Sequence, residues 1–308
     1  MKRFDVIGFG ALNVDKLYRV DRIAGPEEES FVEDFKEECG GSAANTIVGL
    51  ARLGCKVGFI GKVAKDNGGK ILIENLNKEG VDTTGIIEAE EGRSGTVLGF
   101  IDRDGARALY VDPGVNDTIK FEEINLEYAF SARFLHLTSF VGEEPFEAQK
   151  RLIEKLPESV KVSLDPGAIY AKKGLGKIKP IIERCLLVMP NKRELKLLTG
   201  EEDYRQGAKI LLDLGVKIVA VKLGSQGCYV TDGKESFHVE AFNVPVIDTT
   251  GAGDAFCAGF LYGLINGRSL RECGVIGNFV ASRCIMKVGA RAGLPRFEEL
   301  KLFLKIFN

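Results

Sequence analysis

The 308-residue chain contains no tryptophan, three methionines, nine prolines and only two histidines, His136 and His238. Two histidines are too few for a His-rich metal centre, and neither follows a G-x-S-x-G elbow, so a Ser-His-Asp hydrolase has no support. The cysteines are Cys39, Cys55, Cys185, Cys228, Cys257, Cys273 and Cys284. Their number is odd and no pair has C-x-x-C spacing, which argues against a zinc site or a disulfide framework. Reduced, mostly buried thiols in a cytoplasmic protein are the expectation. No run of 18 apolar residues occurs, so no membrane-spanning helix is expected. The apolar stretch Val6–Leu12, broken by two glycines, is too short for a signal h-region. Charge of one sign is lacking too: 42 Lys+Arg face 44 Asp+Glu, a net −2. A neutral surface steers neither nucleic acid nor anionic lipid, so neither is expected as a partner. No G-x-x-x-x-G-K-[ST] loop and no protein-kinase signature is present.

What is abundant is glycine, at 37 residues, in a chain that is 45% apolar. A chain of this length buries enough surface to fold without metal or disulfide. Short β-branched runs alternate with segments of helical period. Strands are predicted at Asp5–Gly8, Lys56–Ile60, Phe134–Leu137, Val160–Leu164, Cys185–Met189, Lys217–Lys222 and Cys228–Thr231. Helices are predicted at Ser42–Leu53, Gly68–Lys78, Glu144–Leu156, Lys192–Thr199, Arg205–Leu214, Asp254–Ile265 and Leu270–Ile285. Gly54, Gly80, Gly215 and Gly267 mark helix ends as left-handed caps. This alternation predicts a mainly parallel sheet covered on both faces, with ligands at the carboxyl ends of its strands. Residues 14–36 and 95–112 alternate at period two instead, with a hairpin signal at Asp102-Arg103-Asp104-Gly105. They predict a small antiparallel sheet set apart as a lid.

Glycine clusters at three places. Asp248-Thr249-Thr250-Gly251-Ala252-Gly253-Asp254 opens into an apolar helix, where free backbone N–H groups and the helix dipole form an anion hole. Asp254 would repel a phosphate there unless it acts as the base that deprotonates an attacking hydroxyl. An ordinary N-cap is the plainer alternative. Cys39-Gly40-Gly41-Ser42-Ala43-Ala44-Asn45 also enters a helix, and Asn45 offers a donor and an acceptor suited to a polyol. A tight turn capped by Ser42 fits the same residues. Gly8-Phe9-Gly10-Ala11-Leu12-Asn13 lacks the third glycine of a dinucleotide fingerprint. Asn13 and Asp15 are therefore candidates for hydroxyl contacts.

Together these residues resemble the two signatures of the ribokinase-like (PfkB) carbohydrate and nucleoside kinases. Asp248–Asp254 is similar to the C-terminal signature and Gly40-Gly41 with Asn45 to the N-terminal one; Pro113-Gly114-Val115-Asn116 is similar to the ribokinase branch. The resemblance runs along almost the whole chain. It implies one domain over 1–308, a three-layer α/β/α fold with a mainly parallel central sheet and a small β-sheet lid formed by about 14–36 and 95–112. It implies Asp254 as catalytic base, with Gly251, Ala252 and Gly253 as the backbone anion hole. Asn13, Asp15, Gly40, Gly41 and Asn45 would hold the acceptor, and Thr138 and His136 at a strand end are further candidates. A strand histidine also fits a satisfied core residue. Asn191-Lys192-Arg193-Glu194 is similar to the family's N-x-x-E element, in which Asn191 and Glu194 arrange Mg²⁺ and its waters. A capped helix start gives the same spacing. Lys222, Gly224 and Gly227 resemble the nucleotide-binding turn, with lysine where most relatives have threonine or serine. Asn278 would lie beside the adenine of ATP, and Asp248 with the Gly289–Gly293 loop would hold a monovalent cation such as K⁺.

The expected reaction is Mg²⁺-assisted transfer of the ATP γ-phosphoryl group to a hydroxymethyl group of a sugar or sugar-like small molecule. Nucleoside phosphorylation is the next reading, and a silent sugar-binding protein on the same fold is a third. Arg103, Arg107 and Lys16 on or near the lid would suit an acidic acceptor. An apolar lid face would also suit a homodimer.

Overall fold

The computed structural model describes residues 2–307. Nine strands form one sheet in the order β13-β12-β11-β10-β9-β8-β1-β4-β5. These are β1 (Phe4–Phe9), β4 (Val57–Ala64), β5 (Asp82–Ala89), β8 (Ala132–Thr138), β9 (Lys161–Asp165), β10 (Cys185–Val188), β11 (Ile218–Lys222), β12 (Cys228–Thr231) and β13 (Ser236–Val239). All pairs are parallel up to β11, and β12 and β13 add antiparallel edges. The helices are α1 (Ser42–Arg52), α2 (Asn67–Lys78), α3 (Leu126–Phe130), α4 (Glu143–Lys155), α5 (Gly167–Lys173), α6 (Leu175–Ile182), α7 (Lys192–Thr199), α8 (Tyr204–Asp213), α9 (Ala252–Ile265), α10 (Leu270–Cys284) and α11 (Phe297–Phe307).

The pleat sends alternate side chains to opposite faces, so β1 feeds two cores. Val6 joins Ile47 of α1, Leu76 of α2, Phe260 of α9, Ile276 of α10 and Leu300 of α11. Ile7 and Phe9 join Phe146 of α4, Tyr170 of α5, Ile178 of α6, Leu195 of α7 and Leu211 of α8. The result is the expected three-layer α/β/α sandwich.

The predicted elements recur with ends shifted by a few residues at most. β5, β13 and α11 are additional, as are the short helices α3, α5 and α6. The glycines predicted to end helices have positive φ: 87° at Gly54, 78° at Gly80, 104° at Gly215 and 68° at Gly267.

A second sheet has the order β3-β2-β6-β7, from β2 (Asn13–Val20), β3 (Val32–Gly40), β6 (Gly95–Ile101) and β7 (Arg107–Asp112). β2–β3 and β6–β7 are antiparallel hairpins, the latter closed by Gly105 at φ 83°. They are joined through a parallel β2–β6 ladder.

The fold collects the carboxyl ends of its parallel strands along one edge. β4 and β5 lie on one side of β1 and β8 to β11 on the other, so the chain reverses direction across the sheet between β1 and β8. A crevice opens at such a reversal. Gly10, Thr138, Asp165, Asn191 and Lys222 all stand at or just beyond these strand ends.

Candidate active site

Two helix N-termini meet over this edge. α9 begins at Ala252, earlier than predicted, with Gly251 at φ 75° as its N-cap residue. A side chain at Gly251 would strike Ala290, whose Cα lies 2.7 Å from the Cβ position. α1 begins after Gly41, at φ 109°, where a Cβ would lie 2.2 Å from the Ala11 carbonyl oxygen. Only glycine tolerates both the dihedral and the approach. Asp254 joins the two helices. Its Oδ1 accepts a hydrogen bond from Ser42 Oγ (2.6 Å) and its Oδ2 from Asn45 Nδ2 (2.8 Å). Thr46 Oγ1 donates to the Asp254 carbonyl at 3.2 Å. Burial pushes the Asp254 carboxyl up to about 6 even though both hydrogen bonds favour the anion. Among the described residues, no backbone carbonyl accepts from the N–H groups of Gly253 and Asp254.

The acceptor side is built by close approach. A Cβ on Gly40 would lie 2.2 Å from Asp15 Oδ2, and one on Gly10 would lie 2.5 Å from Thr138 Oγ1. Asp15 is also raised to about 6, first by burial, with Arg291 opposing and Glu38 and Asp254 reinforcing the shift. Asn116 fixes the turn into β2: it accepts from Leu12 N–H (3.0 Å) and donates to the Leu12 carbonyl (2.9 Å) and to Asn13 Oδ1 (3.1 Å). Thr138 is buried, with its carbonyl accepting from Gln149. His136 is fully buried and its Nδ1 is 3.0 Å from Ser163 Oγ. Burial lowers it to about 4, so it is an interior residue rather than an acceptor contact.

On the donor side, Lys222 Nζ lies 2.5 Å from Asp165 Oδ2, with side chains only 13% and 8% exposed. A Cβ on Gly253 would stand 3.3 Å from this ammonium, which places it beside the α9 N-terminus. Burial opposes its charge, but Asp165, Cys257 and Glu194 hold it above the usual lysine range. Cys257 Sγ donates to the same Asp165 oxygen at 3.4 Å. Lys222 is therefore a buried ion-pair partner, not a solvated strand end.

Asn191 and Glu194 form a reciprocal capping box at the start of α7. Asn191 N–H donates to Glu194 Oε2 and Glu194 N–H to Asn191 Oδ1, each at 2.8 Å. The capped-helix alternative is thus present, and it leaves Glu194 Oε1 free. Burial raises Glu194, countered by Lys222 and reinforced by Asp165. Gly224 and Gly227 have φ of 61° and 83° in the β11–β12 turn. A Cβ on Gly227 would lie 1.9 Å from the Val239 carbonyl oxygen. Asn278 gives both amide hydrogens to the carbonyls of Val239 and Glu240, at 3.0 Å each, and so pins the segment leaving β13.

Asp248 accepts from Thr250 N–H (3.0 Å), Thr250 Oγ1 (2.7 Å) and Gly289 N–H (2.9 Å). Arg107 of β7 donates to Asp248 and to Thr250 Oγ1, each at 3.3 Å, so the small sheet touches the signature loop. Burial works against the Asp248 anion, yet these donors hold it down at about 2. Arg103 pairs with Glu33 within the small sheet.

Sequence reasoning missed three groups. Asp165 ends an apolar strand, and a lone carboxylate there was the available signal. Ser42 was read as a capping residue only. Arg291 is half-buried and donates to Asn45 Oδ1 (2.7 Å) and Asn75 Oδ1 (2.6 Å).

Known proteins resemble this chain in sequence and in fold. The model of the pfkB family carbohydrate kinases matches residues 4–296. An uncharacterized sugar kinase of Archaeoglobus fulgidus is 48% identical over 81% of this chain and 99% of its own length. An ATP-dependent ribose-1-phosphate kinase of Halopiger xanaduensis is 31% identical over 97% of each chain. The crystal structure of a ribokinase from Thermotoga maritima superposes with a TM-score of 0.86 at 28% identity, covering 98% of this chain and 99% of that one. A ribokinase of Arabidopsis thaliana complexed with ribose and ATP gives 0.87 at 25%, with the same coverage. A chain with both glycine-rich helix starts in place, matched from Phe4 to Arg296, belongs to the pfkB family of carbohydrate kinases, the ATP-dependent sugar kinases of ribokinase-like fold.

Proposed function

We propose that the enzyme transfers the γ-phosphoryl group of ATP to a hydroxymethyl group of a neutral polyhydroxylated sugar, with Asp254 as general base. One observation carries this reading: a carboxylate held by Ser42 and Asn45 sits at the first turn of α9, beside N–H groups free to bind an anion. With a pKa of about 6, Asp254 is ionised at neutral pH yet basic enough to accept a proton. Asp15, Asn13, Asn45 and the glycines Gly40 and Gly41 would hold the acceptor. The acceptor is read as neutral because Asp15 and Glu38 face it, while the Arg291 side chain is already engaged by Asn45 and Asn75.

As the attacking hydroxyl loses its proton to Asp254, negative charge grows on the transferring group. The N–H groups of Gly251 and Gly253 and the Lys222 ammonium would stabilise that charge, whereas the Ala252 N–H already donates to the Thr249 carbonyl at 3.2 Å. Among the described residues, no cluster of three His, Cys, Asp or Glu side chains is arranged to hold a metal. The single free Glu194 oxygen fits a hydrated Mg²⁺ that arrives with the nucleotide, and such an ion would offset charge between the phosphates. Asp248 already meets Arg107 and three other donors, so no step is assigned to K⁺ there. Gly224, Gly227 and the segment pinned by Asn278 would form the nucleotide wall.

The ribokinase of Staphylococcus aureus, 29% identical over 96% of this chain and 98% of its own, supports a pentose acceptor. Nucleoside phosphorylation is the second reading within the fold. The protein is also read as cytoplasmic and as a homodimer through the small sheet, whose β7 residues Leu109 and Tyr110 are exposed. Light scattering tests the dimer.

ADP release measured with Mg²⁺ over pentoses, hexoses, keto-acids, ribose 1-phosphate and nucleosides tests the acceptor. Asp254→Asn tests the base: turnover is expected to fall by roughly 10²–10⁴-fold with the fold intact. Near-normal turnover would refute the assignment.

A further inference from the structure

Arg291 lies between the two carboxylates of the acceptor side without being needed by the reaction as described so far. Each of its three guanidinium nitrogens has a partner. Nε donates to Asn45 Oδ1 at 2.7 Å, Nη1 to Asn75 Oδ1 at 2.6 Å, and Nη2 approaches the Gly40 carbonyl at 3.5 Å. The loop carrying it is anchored from outside. Arg52 donates to the carbonyls of Arg291 (2.5 Å) and Leu294 (3.3 Å) while holding Glu79 through two bonds of 2.8 and 2.6 Å.

The amide of Asn45 has two ends, and an unaided amide chooses between them by its partners. Guanidinium groups donate and never accept, so the end facing Arg291 must be the carbonyl oxygen. The NH₂ end is thereby turned to Asp254 Oδ2 at 2.8 Å. Without Arg291 the amide is free to flip and accept from a protonated Asp254; with Arg291 in place only the donating orientation is satisfied, and that orientation favours the Asp254 anion. We propose that Arg291 is a positioning residue for phosphoryl transfer: it locks the Asn45 amide so that Asn45 donates to Asp254, which fixes the carboxylate for proton removal from the acceptor.

This inference rests on the reading of Asp254 as the base. The groups that bear on Asp254 from the elements around it are Asp15 of β2, Asp165 of β9, Glu194 of α7, Lys222 of β11 and Arg291 itself. Cys257 and Cys284 are neutral neighbours, since burial raises both thiols. Losing the Asn45 donor removes a hydrogen bond to the charged form, and losing Arg291 removes a positive charge. Both changes raise the pH below which Asp254 is protonated.

The test is the pH dependence of kcat, with separate KM values for ATP and sugar, in Arg291→Met, Arg291→Lys and Asp254→Asn. For Arg291→Met, kcat is expected to fall about tenfold or more, as for a misplaced base, and the acid limb to move up by about one pH unit. KM for ATP is expected to stay within about twofold, because the nucleotide wall is untouched. Arg291→Lys keeps the charge and one donor and is expected to restore most of the limb. An unmoved acid limb in Arg291→Met overturns the proposal, whether or not kcat falls. Should Arg291→Met fail to fold, Arg291→Leu takes its place; it neither donates to Asn45 nor carries a charge, and an unmoved limb there overturns the proposal equally. Asp254→Asn separates the two readings: if it retains turnover the base assignment fails, whereas loss of turnover in it with unshifted Arg291 variants refutes the Arg291 role alone.

Discussion

Lys222→Met isolates the buried ion pair behind the anion hole. The substitution keeps the length of the stem but leaves Asp165, 8% exposed, with only Cys257 Sγ and the Gly167 N–H, each at 3.4 Å. Breaking a buried pair by removing one partner costs about 3–5 kcal/mol. Unfolding entropy of about 2.1 cal/mol/K per residue over 308 residues gives roughly 0.65 kcal/mol/K, so Tm should fall by about 5–8 °C. Asp165→Asn combined with Lys222→Met removes both charges, and an apolar or neutral replacement of a buried pair is often neutral in stability. The double variant should therefore recover most of the lost Tm by calorimetry. Its turnover should not recover, because the ammonium beside Gly253 is still missing from the phosphoryl site. The decisive comparison is melting temperature against kcat for wild type, single and double variants. If kcat returns together with Tm, Lys222 is structural only and its assignment to phosphoryl transfer is wrong. If neither single variant lowers Tm, the pair is not buried in the way the geometry requires.

Gly41→Ala forces a Cβ to within 2.2 Å of the Ala11 carbonyl at φ 109°, so it should destabilise α1 and abolish turnover, read by calorimetry and ADP release. Asp254 and Asp15 both sit near 6, so kcat/KM should decline as pH falls through about 6, as two coupled steps; a flat profile from pH 5 to 8 would exclude a base titrating near 6. A carboxyl raised in the folded state costs stability above its unfolded value and most of all above about 6, so Asp254→Asn should melt higher than wild type at pH 8 and lose that advantage towards pH 4. Arg107→Ala removes the contact of the small sheet with Asp248 and Thr250, so KM for the sugar and ATP hydrolysis without sugar should both rise, while Tm changes little at this exposed pair.

The parts of the site written in consecutive residues were legible from the chain alone. Gly251-Ala252-Gly253-Asp254 carries its signal in its own spacing, because a helix start, the unpaired Gly253 N–H and a carboxylate lie on one turn. The same holds for Gly41 and Asn45 at the start of α1. Strand β5 was missed because Asp82–Ala89 is only half-buried and carries no continuous apolar run. β13 was missed because Ser236–Val239 is four residues long at a sheet edge. Asp165 and Arg291 were missed for a different reason. Each acts through partners 57 and 246 residues away, and nothing in the local sequence announces a partner at that distance. The capping box of Asn191 and Glu194 shows the opposite hazard: its local geometry is fully legible, yet it uses up one carboxylate oxygen that the resemblance would assign to a hydrated ion.

Near-neutral net charge and phosphate chemistry are reconciled by how the site distributes its few cations. Lys222 faces Asp165, and Arg291 is held by Asn45 and Asn75 beside Asp15 and Asp254. Arg107 faces Asp248. Lys222 and Arg107 are ion-paired and Arg291 is hydrogen-bonded to two amides, so each of these three cations is already engaged. What remains unpaired is directional: the N–H groups of Gly253 and Asp254 at the start of α9, which have no backbone acceptor among the described residues. Such donors bind an anion only when it is placed in line with them, and their strength grows as water leaves. A kinase must spare water as an acceptor, and a site whose charge is latent until the small sheet and a sugar fill it meets that need. On the proposed function, the engagement of Lys222, Arg107 and Arg291 leaves phosphate binding to directional N–H groups, in keeping with a balanced composition.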